Sequence, residues 1–390
     1  MKLAFVFDTR FIEYQGDYYS INLSTEFWNK RYLCLFEDIV VVGRKISVAE
    51  DPSGRLVKSN SENIHFCCLE DKGNINRLLT QKQQNDFIFE SIKDCDCAIC
   101  RGWWGISVCQ KLSIPYMVEV VNDIWDSYWY HSYLGKVVAL PNYLLQKKAI
   151  DEAPYVLYVT QSFLQRRYPT KGKAVGVSDV NLEVENDEDD KKIIQERIER
   201  IRRHSTKLVL GTAGAISVKY KGQQYVIRAL GKLKKQGISN IEYQLAGKGD
   251  SSYLLYEAKK QGVIDQVKFI GSIPHNKMLD WYDSLDLYIQ PSMCEGLPRA
   301  IVEAMSRALP CIGSNAGGIP ELLNEEYIYD KRKSIVKQLV RLIGNLDDDK
   351  LIDMMEMSFE KSKLFKAEYL DCKRQEFLRD FCEYAASVEK

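Results

Sequence analysis

A chain of 390 residues with 54 basic and 54 acidic side chains carries no net charge, so it has no long-range positive field to gather nucleic acid or an anionic membrane, and any anion must be bound locally. At roughly 100 to 200 residues per domain, the length predicts two or three domains, each large enough to bury a core. No apolar run approaches the roughly 18 to 20 residues of a membrane span, and residues 1–8 are too short for a signal-peptide core, which predicts a cytoplasmic protein.

In chain order, residues 2–8 have the pattern of a strand, followed by a polar loop holding Gly16 and then by residues 19–32, whose apolar positions recur at helical spacing. Residues 38–42, 63–68, 95–100, 116–121 and 155–160 predict further strands, separated by segments long enough for helices. Such alternation implies parallel α/β layers. The eleven cysteines are odd in number and many lie in apolar runs, which predicts reduced, buried thiols. Cys95, Cys97, Cys100 and Cys109 form the tightest group, but their spacing does not fit a common zinc knuckle, and Asp94 to Arg101 alternates as a half-buried strand does, so no metal site is expected.

Residues 183–190 are acidic and the stretch to Lys207 is mixed and basic, the composition of a solvated linker, within which Ile193, Ile194, Ile198 and Ile201 form one stripe of a surface helix. From Leu208 the alternation restarts. Strands are expected at 208–211, 242–246, 267–270, 285–290 and 310–314, with helices at 223–236, 253–261, 276–283 and 298–308, a second doubly wound unit. The expected division is 1–175, a linker with its helix over 176–206, 207–365, and a final helix over 366–390.

In open parallel sheets, ligands sit beyond the carboxyl ends of the strands. The loop after 208–211 carries Lys219, Lys221 and Gly222 before a helix start, and both lysines and free helix N–H groups favour phosphate; solvated lysines on a turn are the equal alternative. Gly247-Lys248-Gly249 lets backbone approach a ligand, although such a turn is more often only a turn. Backbone groups of Gly271-Ser272-Ile273-Pro274 can meet a nucleobase edge, or simply connect two elements. The sharpest loop is Gln290 to Met305. Glu295 ends it, Pro298 suits a first helical turn, and Glu303 follows about one and a half turns in. Carboxylates accept hydrogen bonds from paired hydroxyls, while free N–H groups at the helix start suit an anion. The apolar neighbours Ile301, Val302, Ala304 and Met305 imply that Glu303 is partly buried and needs a partner.

The ordered set Phe269-Ile270-Gly271, Gln290-Pro291-Ser292, Glu295-Gly296-Leu297-Pro298, Glu303-Ala304-Met305 and Gly317-Gly318-Ile319-Pro320-Glu321-Leu322, with Lys221-Gly222 and Gly247-Lys248-Gly249 upstream, resembles the family 4 retaining glycosyltransferases of the GT-B fold. The match covers most of residues 207–325. The resemblance implies an α/β GT-B architecture, two Rossmann-like doubly wound domains facing a cleft, with the final helix crossing back to the first. It implies transfer from a UDP-sugar or GDP-sugar to a saccharide or lipid-linked acceptor, with retention, no cofactor and no required metal. Lys221 would hold the diphosphate, Glu295 would face the donor sugar and Glu303 would take the ribose hydroxyls. The backbone of Gly296, Leu297 and Pro298 would lie by the sugar and diphosphate, with Gly247, Gly249 and Ile273 around the nucleotide.

Three departures stand out. Lys219 occupies the place of a usual arginine and is a point charge with no bidentate phosphate contact. Only Gly16 is available where the family often has Gly-Gly after the first strand. Asn122-Asp123, the candidate catalytic pair of the first half, stands where many members have His-Asp, and Asn bonds a hydroxyl but cannot transfer a proton. His131 is a weak substitute, since a lone histidine is more often structural. Trp103-Trp104 and the aromatic run from Trp125 to Tyr130 read equally as acceptor-stacking surfaces or as core. Lys147-Lys148 and Arg166-Arg167 read as solvated faces, with peripheral membrane contact at a lipid-linked acceptor the alternative. Two competing functions remain, a non-catalytic GT-B subunit, for which Asn122 speaks, and a nucleotide-sugar epimerase.

Overall fold

The computed structural model describes residues 1–54, 56–71, 81–180, 182, 187–203 and 207–388. The first sheet contains β1 (Lys2–Tyr14), β2 (Asp17–Ser20), β3 (Asp38–Ser47), β4 (Val57–Lys58), β5 (Ile64–Glu70), β6 (Cys97–Arg101), β7 (Tyr116–Val120), β8 (Tyr155–Tyr158) and β9 (Lys173–Gly176). Seven of these run parallel in the order β5-β3-β1-β6-β7-β8-β9, while β2 adds antiparallel beside the outer length of β1 and β4 adds antiparallel to β2. The second sheet contains β10 (Leu208–Ala213), β11 (Ile241–Ala246), β12 (Val267–Gly271), β13 (Leu287–Gln290), β14 (Cys311–Ser314) and β15 (Ile328–Tyr329), all parallel, in the order β12-β11-β10-β13-β14-β15. Each sheet grows both ways from its first strand, so each has a switch point there, where ligands of doubly wound folds collect. Strands β7, β8, β13 and β14 are buried at every position. Cover on both faces explains why they read as continuous apolar runs.

The opening differs from the sequence reading. β1 continues through the stretch expected to be a polar loop, shifting register against β3 between Val6 and Arg10. Gln15 and Gly16 both have positive φ and join Tyr14 to its partner Asp17, a type I′ hairpin that matches the twist of the two strands. Gly16 is thus a hairpin tip whose N–H donates to Glu13 Oε1 at 2.9 Å, not a glycine of a phosphate loop. Residues 19–32 are likewise not one helix. Ser20 ends β2, and the helix Thr25–Arg31 starts where the Ser24 side chain accepts from Phe27 N. The cysteine group is core: Cys97 and Cys100 alternate between the two faces of β6, Cys95 and Cys109 are also buried, and burial pushes the Cys95 thiol up to about 11. Among the described residues, no cluster of three or more His, Cys, Asp or Glu is arranged to hold a metal.

Residues 183–186 of the acidic block lie outside the described residues. The helix Asp187–Arg202 docks on the second sheet's half through Ile193 and through Arg197, whose guanidinium is 4 % exposed and donates to the carbonyls of Leu285, Tyr282 and Arg307. The last helix, Ala367–Ser387, packs on the first half. Phe377, Phe381 and Tyr384 surround Tyr155 of β8, and Lys173 of β9 pairs with Asp380 at 2.8 Å. Asp179 gathers Arg31, Arg101 and Arg374 at one junction. Burial alone would raise its carboxyl, but the three guanidiniums hold it well below the usual range.

Candidate active site between the two sheets

The carboxyl ends of both sheets face one cleft, in which a cavity of about 230 Å³ is lined by Asn122, Asp126, Ser127 and His131 from one half and by Tyr220, Lys221, Cys294, Glu295 and Gly296 from the other. After β10 the chain makes a single 3-10 turn, Lys219–Lys221, and enters the helix Gln223–Lys235 through Gly222 at φ +78°. A side chain at Gly222 would place its Cβ 1.8 Å from the Pro291 carbonyl oxygen, so only glycine lets the loop after β13 lie against this turn. Met293 N donates to Tyr220 O at 2.7 Å and fixes that contact. Lys221 Nζ then reaches Glu295 Oε1 at 2.7 Å, and Gln290 Nε2 reaches the same oxygen at 3.0 Å. Gln290 is itself held by the Tyr288 hydroxyl and by Ser292. The charged pair is therefore set by buried polar groups, not left to two free side chains.

The other residues named for the donor are distributed around this pair. Leu297 and Pro298 follow Gly296, and Pro298 stands at the N-cap of the helix Arg299–Ser306 rather than inside its first turn. Glu303 lies in that helix with its side chain 14 % exposed, accepting from the Tyr282 hydroxyl at 3.2 Å with Arg299 at 3.9 Å. Burial raises its carboxyl above the usual value, opposed by Arg299, Tyr282 and His275. His275 lies two residues after Ile273, which packs partly buried against the core. Gly247 and Gly249 bring their turn onto residues 214–217, where side chains would collide with Gly214 O and Ser217 Oγ. Lys219 is exposed and turned onto the Tyr253 ring at 4.5 Å, while Lys221 faces the cleft.

The first wall corrects the sequence reading. Asn122 does line the cavity, its Nδ2 3.3 Å from Ser127 Oγ. Asp123 does not. It is 2 % exposed and serves as N-cap of the helix Ile124–His131, accepting from Trp125 N, the Tyr168 hydroxyl and Arg167 Nε. Those three donors use its carboxylate inside its own half, which removes it from the reacting centre. The acidic group that does face the cleft is Asp126. Burial raises its carboxyl, and Lys331 opposes that shift from 2.6 Å across the cleft while also donating to Met293 O. His131 stands at the mouth, 6.4 Å from the Tyr220 ring. Trp104 is core, and Trp125 and Trp129 stack on each other at 5.2 Å outside the cavity lining, so neither tryptophan group forms the cavity wall.

Glu321 was quoted in the sequence only as part of a motif. In the structure it crosses to the first half and accepts from Gln161 N at 2.6 Å, Ser162 N at 3.0 Å, Ser162 Oγ at 3.1 Å and Phe163 N at 2.5 Å, capping the start of the helix Phe163–Arg167. Gly296 approaches the first half just as closely, since a Cβ there would stand 2.3 Å from Val121 O. A wider depression of about 410 Å³ along helix Asp187–Arg202 is lined by that helix alone and gathers no converging polar groups from other elements.

Comparison with known proteins agrees with this geometry. Residues 194–358 match the family model described as glycosyl transferases group 1. Protein CapJ of Staphylococcus aureus is 36 % identical over 360 residues, which is 88 % of this chain and 86 % of that protein. The amylovoran biosynthesis glycosyltransferase AmsK of Erwinia amylovora is 36 % identical over 110 residues, 26 % of this chain and 27 % of that protein. Among solved structures, Anabaena HepE in complex with UDP-glucose superposes with a TM-score of 0.64 at 15 % identity, covering 97 % of this chain and all of that one. With two doubly wound halves closing on a Lys221–Glu295 cleft, the chain belongs to the glycosyl transferases group 1 and has the GT-B fold.

Proposed function

We propose that this glycosyltransferase transfers a sugar from a nucleoside diphosphate sugar, with retention and without a required metal, to a saccharide or lipid-linked acceptor during assembly of a surface polysaccharide. The observation that carries the reading is the Lys221–Glu295 pair at 2.7 Å, held on one wall of a cleft whose other wall presents hydrogen-bonding groups but no strong base at Asn122. Lys221 moves from Glu295 to the diphosphate when donor binds. As the glycosidic bond breaks, negative charge grows on the leaving phosphate, and the ammonium together with the N-terminus of helix Arg299–Ser306 stabilises it. Glu295, released, faces the sugar, and Glu303 takes the ribose hydroxyls. The relative AmsK, named for amylovoran biosynthesis, supports the polysaccharide context, and the HepE complex with UDP-glucose supports a UDP-sugar as the first donor to try.

The test is incubation with UDP-, GDP- and ADP-sugars, scoring nucleotide release with and without acceptor and the anomeric configuration of the product by NMR. An inverted product refutes retention, and abolition of turnover by chelator refutes metal independence. Asn122 favours one second reading, a subunit that binds donor without turnover; binding of a nucleotide sugar with no release under any condition selects it. Free UDP and an altered sugar in the absence of acceptor select an epimerase.

A further inference from the structure

On the first wall of the cleft one carboxylate is only half used. Asp126 Oδ2 accepts from Lys331 Nζ at 2.6 Å, whereas Oδ1 has no hydrogen-bond donor among the described residues, and the side chain lines the cavity at 12 % exposure. Lys331 is fully engaged. Its backbone N–H donates to Asn315 Oδ1 at 2.9 Å, and its ammonium donates to Met293 O at 2.7 Å besides Asp126 and stands 5.0 Å from the centre of the Tyr130 ring. A lysine enclosed in this way is a fixed counter-charge, not an arm that reaches for a ligand. Burial raises the Asp126 carboxyl, and Lys331 opposes that shift, which keeps the group an anion. The neighbours narrow what Oδ1 can take. Ser127 Oγ spends its hydrogen on Asp123 O at 2.8 Å and accepts from Asn122 Nδ2 at 3.3 Å, and Asn122 Oδ1 has no donor among the described residues. The free atoms of this wall are therefore mostly acceptors, and one of them is charged.

We infer that Asp126 selects the acceptor: Oδ1 accepts a hydroxyl hydrogen of a neutral sugar ring, Lys331 acts as a positioning residue by holding Oδ2, and a ring that carries a carboxylate at this place is refused. A wall of acceptor atoms binds what brings hydrogens. A hydroxyl brings one, whereas a carboxylate brings none and meets Asp126 as a like charge. The two partners come from opposite halves, Asp126 from helix Ile124–His131 and Lys331 from the segment after β15, so the selecting group is complete only where the halves meet. The existence of an acceptor rests on the proposed function, and the wall adds its class, a ring rich in hydroxyls and free of negative charge.

The experiment is saturation-transfer NMR on the full chain, with and without UDP, using p-nitrophenyl glucosides and galactosides paired with the matching glucuronides and galacturonides, which differ by the carboxylate alone. We expect the wild type to bind the neutral glycosides at least about 10-fold more tightly than the uronides, the lower end of what a hydrogen bond to a charged group contributes. Asp126→Asn should abolish that preference, weakening the neutral glycosides and strengthening the uronides, with UDP affinity by calorimetry and melting temperature close to wild type. Lys331→Gln should narrow the preference by itself and, added to Asp126→Asn, should weaken the neutral glycosides no further; it carries the test alone if Asp126→Asn does not fold. A pair that merely ties the halves together would lower both kinds of glycoside alike, and an unchanged order of preference in the variants overturns the inference. A wild type that prefers uronides, or binds neither kind, overturns it as well. Transfer is scored in the same samples: preference for neutral glycosides without turnover removes the transferase reading and keeps the site, and turnover with the preference unchanged in Asp126→Asn does the reverse.

Discussion

Gly296→Ala puts a methyl group 2.3 Å from the Val121 carbonyl oxygen, in the opposite half of the molecule. Real Cβ atoms do not approach a neighbour closer than 3.0 Å, so the two halves must part by about 0.7 Å, the difference between those distances. Backbone cannot swing aside as a side chain does. The atoms nearest that methyl, from Val121 and Val159, all belong to the first half, so the strain falls on closure of the cleft and leaves the folding of either half alone. A displacement of about 1 Å at a reacting centre costs up to roughly 100-fold in rate. Turnover of Gly296→Ala should therefore fall about 10- to 100-fold, with nucleotide affinity by calorimetry within about 3-fold and melting temperature within about 2 °C of wild type. Gly222→Ala is the contrast. Its collision, 1.8 Å from Pro291 O, lies within one half and at φ +78°, so it should lower the melting temperature outright. Equal melting losses in the two variants, or unchanged turnover in Gly296→Ala, would refute the assignment of Gly296 to closure.

Lys221→Ala and Glu295→Ala should each remove most turnover, and full activity of either in the donor screen sinks the site. Burial raises the Glu303 carboxyl, so the folded state holds this proton more tightly than the unfolded chain does; its contribution to stability is greatest in acid and declines as pH rises from the ordinary value of 4.5 through the raised one. Glu303→Gln should accordingly melt no lower than wild type at pH 7.5, with the two curves converging or crossing toward pH 4, while UDP affinity falls about 10-fold or more. Glu321→Gln loses the charge accepted by three backbone N–H groups across the cleft, at about 1.5 to 3 kcal/mol for a charged hydrogen bond; small-angle scattering should show a more open molecule with reduced kcat, and an unchanged scattering profile would count against its bridging role. Asp179→Asn leaves three guanidiniums without their common anion and should destabilise by about 3 kcal/mol in urea unfolding, where a change under about 0.5 kcal/mol would show the junction to be dispensable.

The donor wall was legible because topology does part of the work. In a parallel sheet the loops after successive strands all emerge on one edge, so Lys221 after β10 and Glu295 after β13 meet although they are 74 residues apart. Contacts between the two halves obey no such rule. Lys331 reaches Asp126 over 205 residues and Glu321 reaches Gln161 over 160, and both depend on how two bodies dock. Nothing periodic encodes that, which is why the sequence reading chose Asp123 for the acceptor wall while Asp126, one helical turn later, faces the cleft. Gly16 failed for a local reason: its neighbour Gln15 also takes positive φ, and together they make a hairpin tip that composition cannot separate from a binding loop.

Helix Tyr133–Asp151 shows where hydrophobic periodicity stops deciding. Period alone finds two faces; the habit of turning the apolar one inward would bury Leu134, Val137 and Leu144. Close approach overrules it here. A Cβ at Gly135 would lie 2.1 Å from Tyr128 O, so the face that packs on the preceding helix has to be the one with a glycine, and Ala139 follows it inward one turn later. Once that face is committed, Leu134, Val137 and Leu144 have only the outside, together with Lys147 and Lys148, which the sequence reading left as solvated. Small residues thus choose the packed side, and the exposed strip is the consequence. Gly135→Leu would break this arrangement from the inside and should lower the melting temperature outright, whereas Leu134→Ser on the exposed face should leave it within about 2 °C of wild type; equal losses in the two variants would refute the assignment of the packed side.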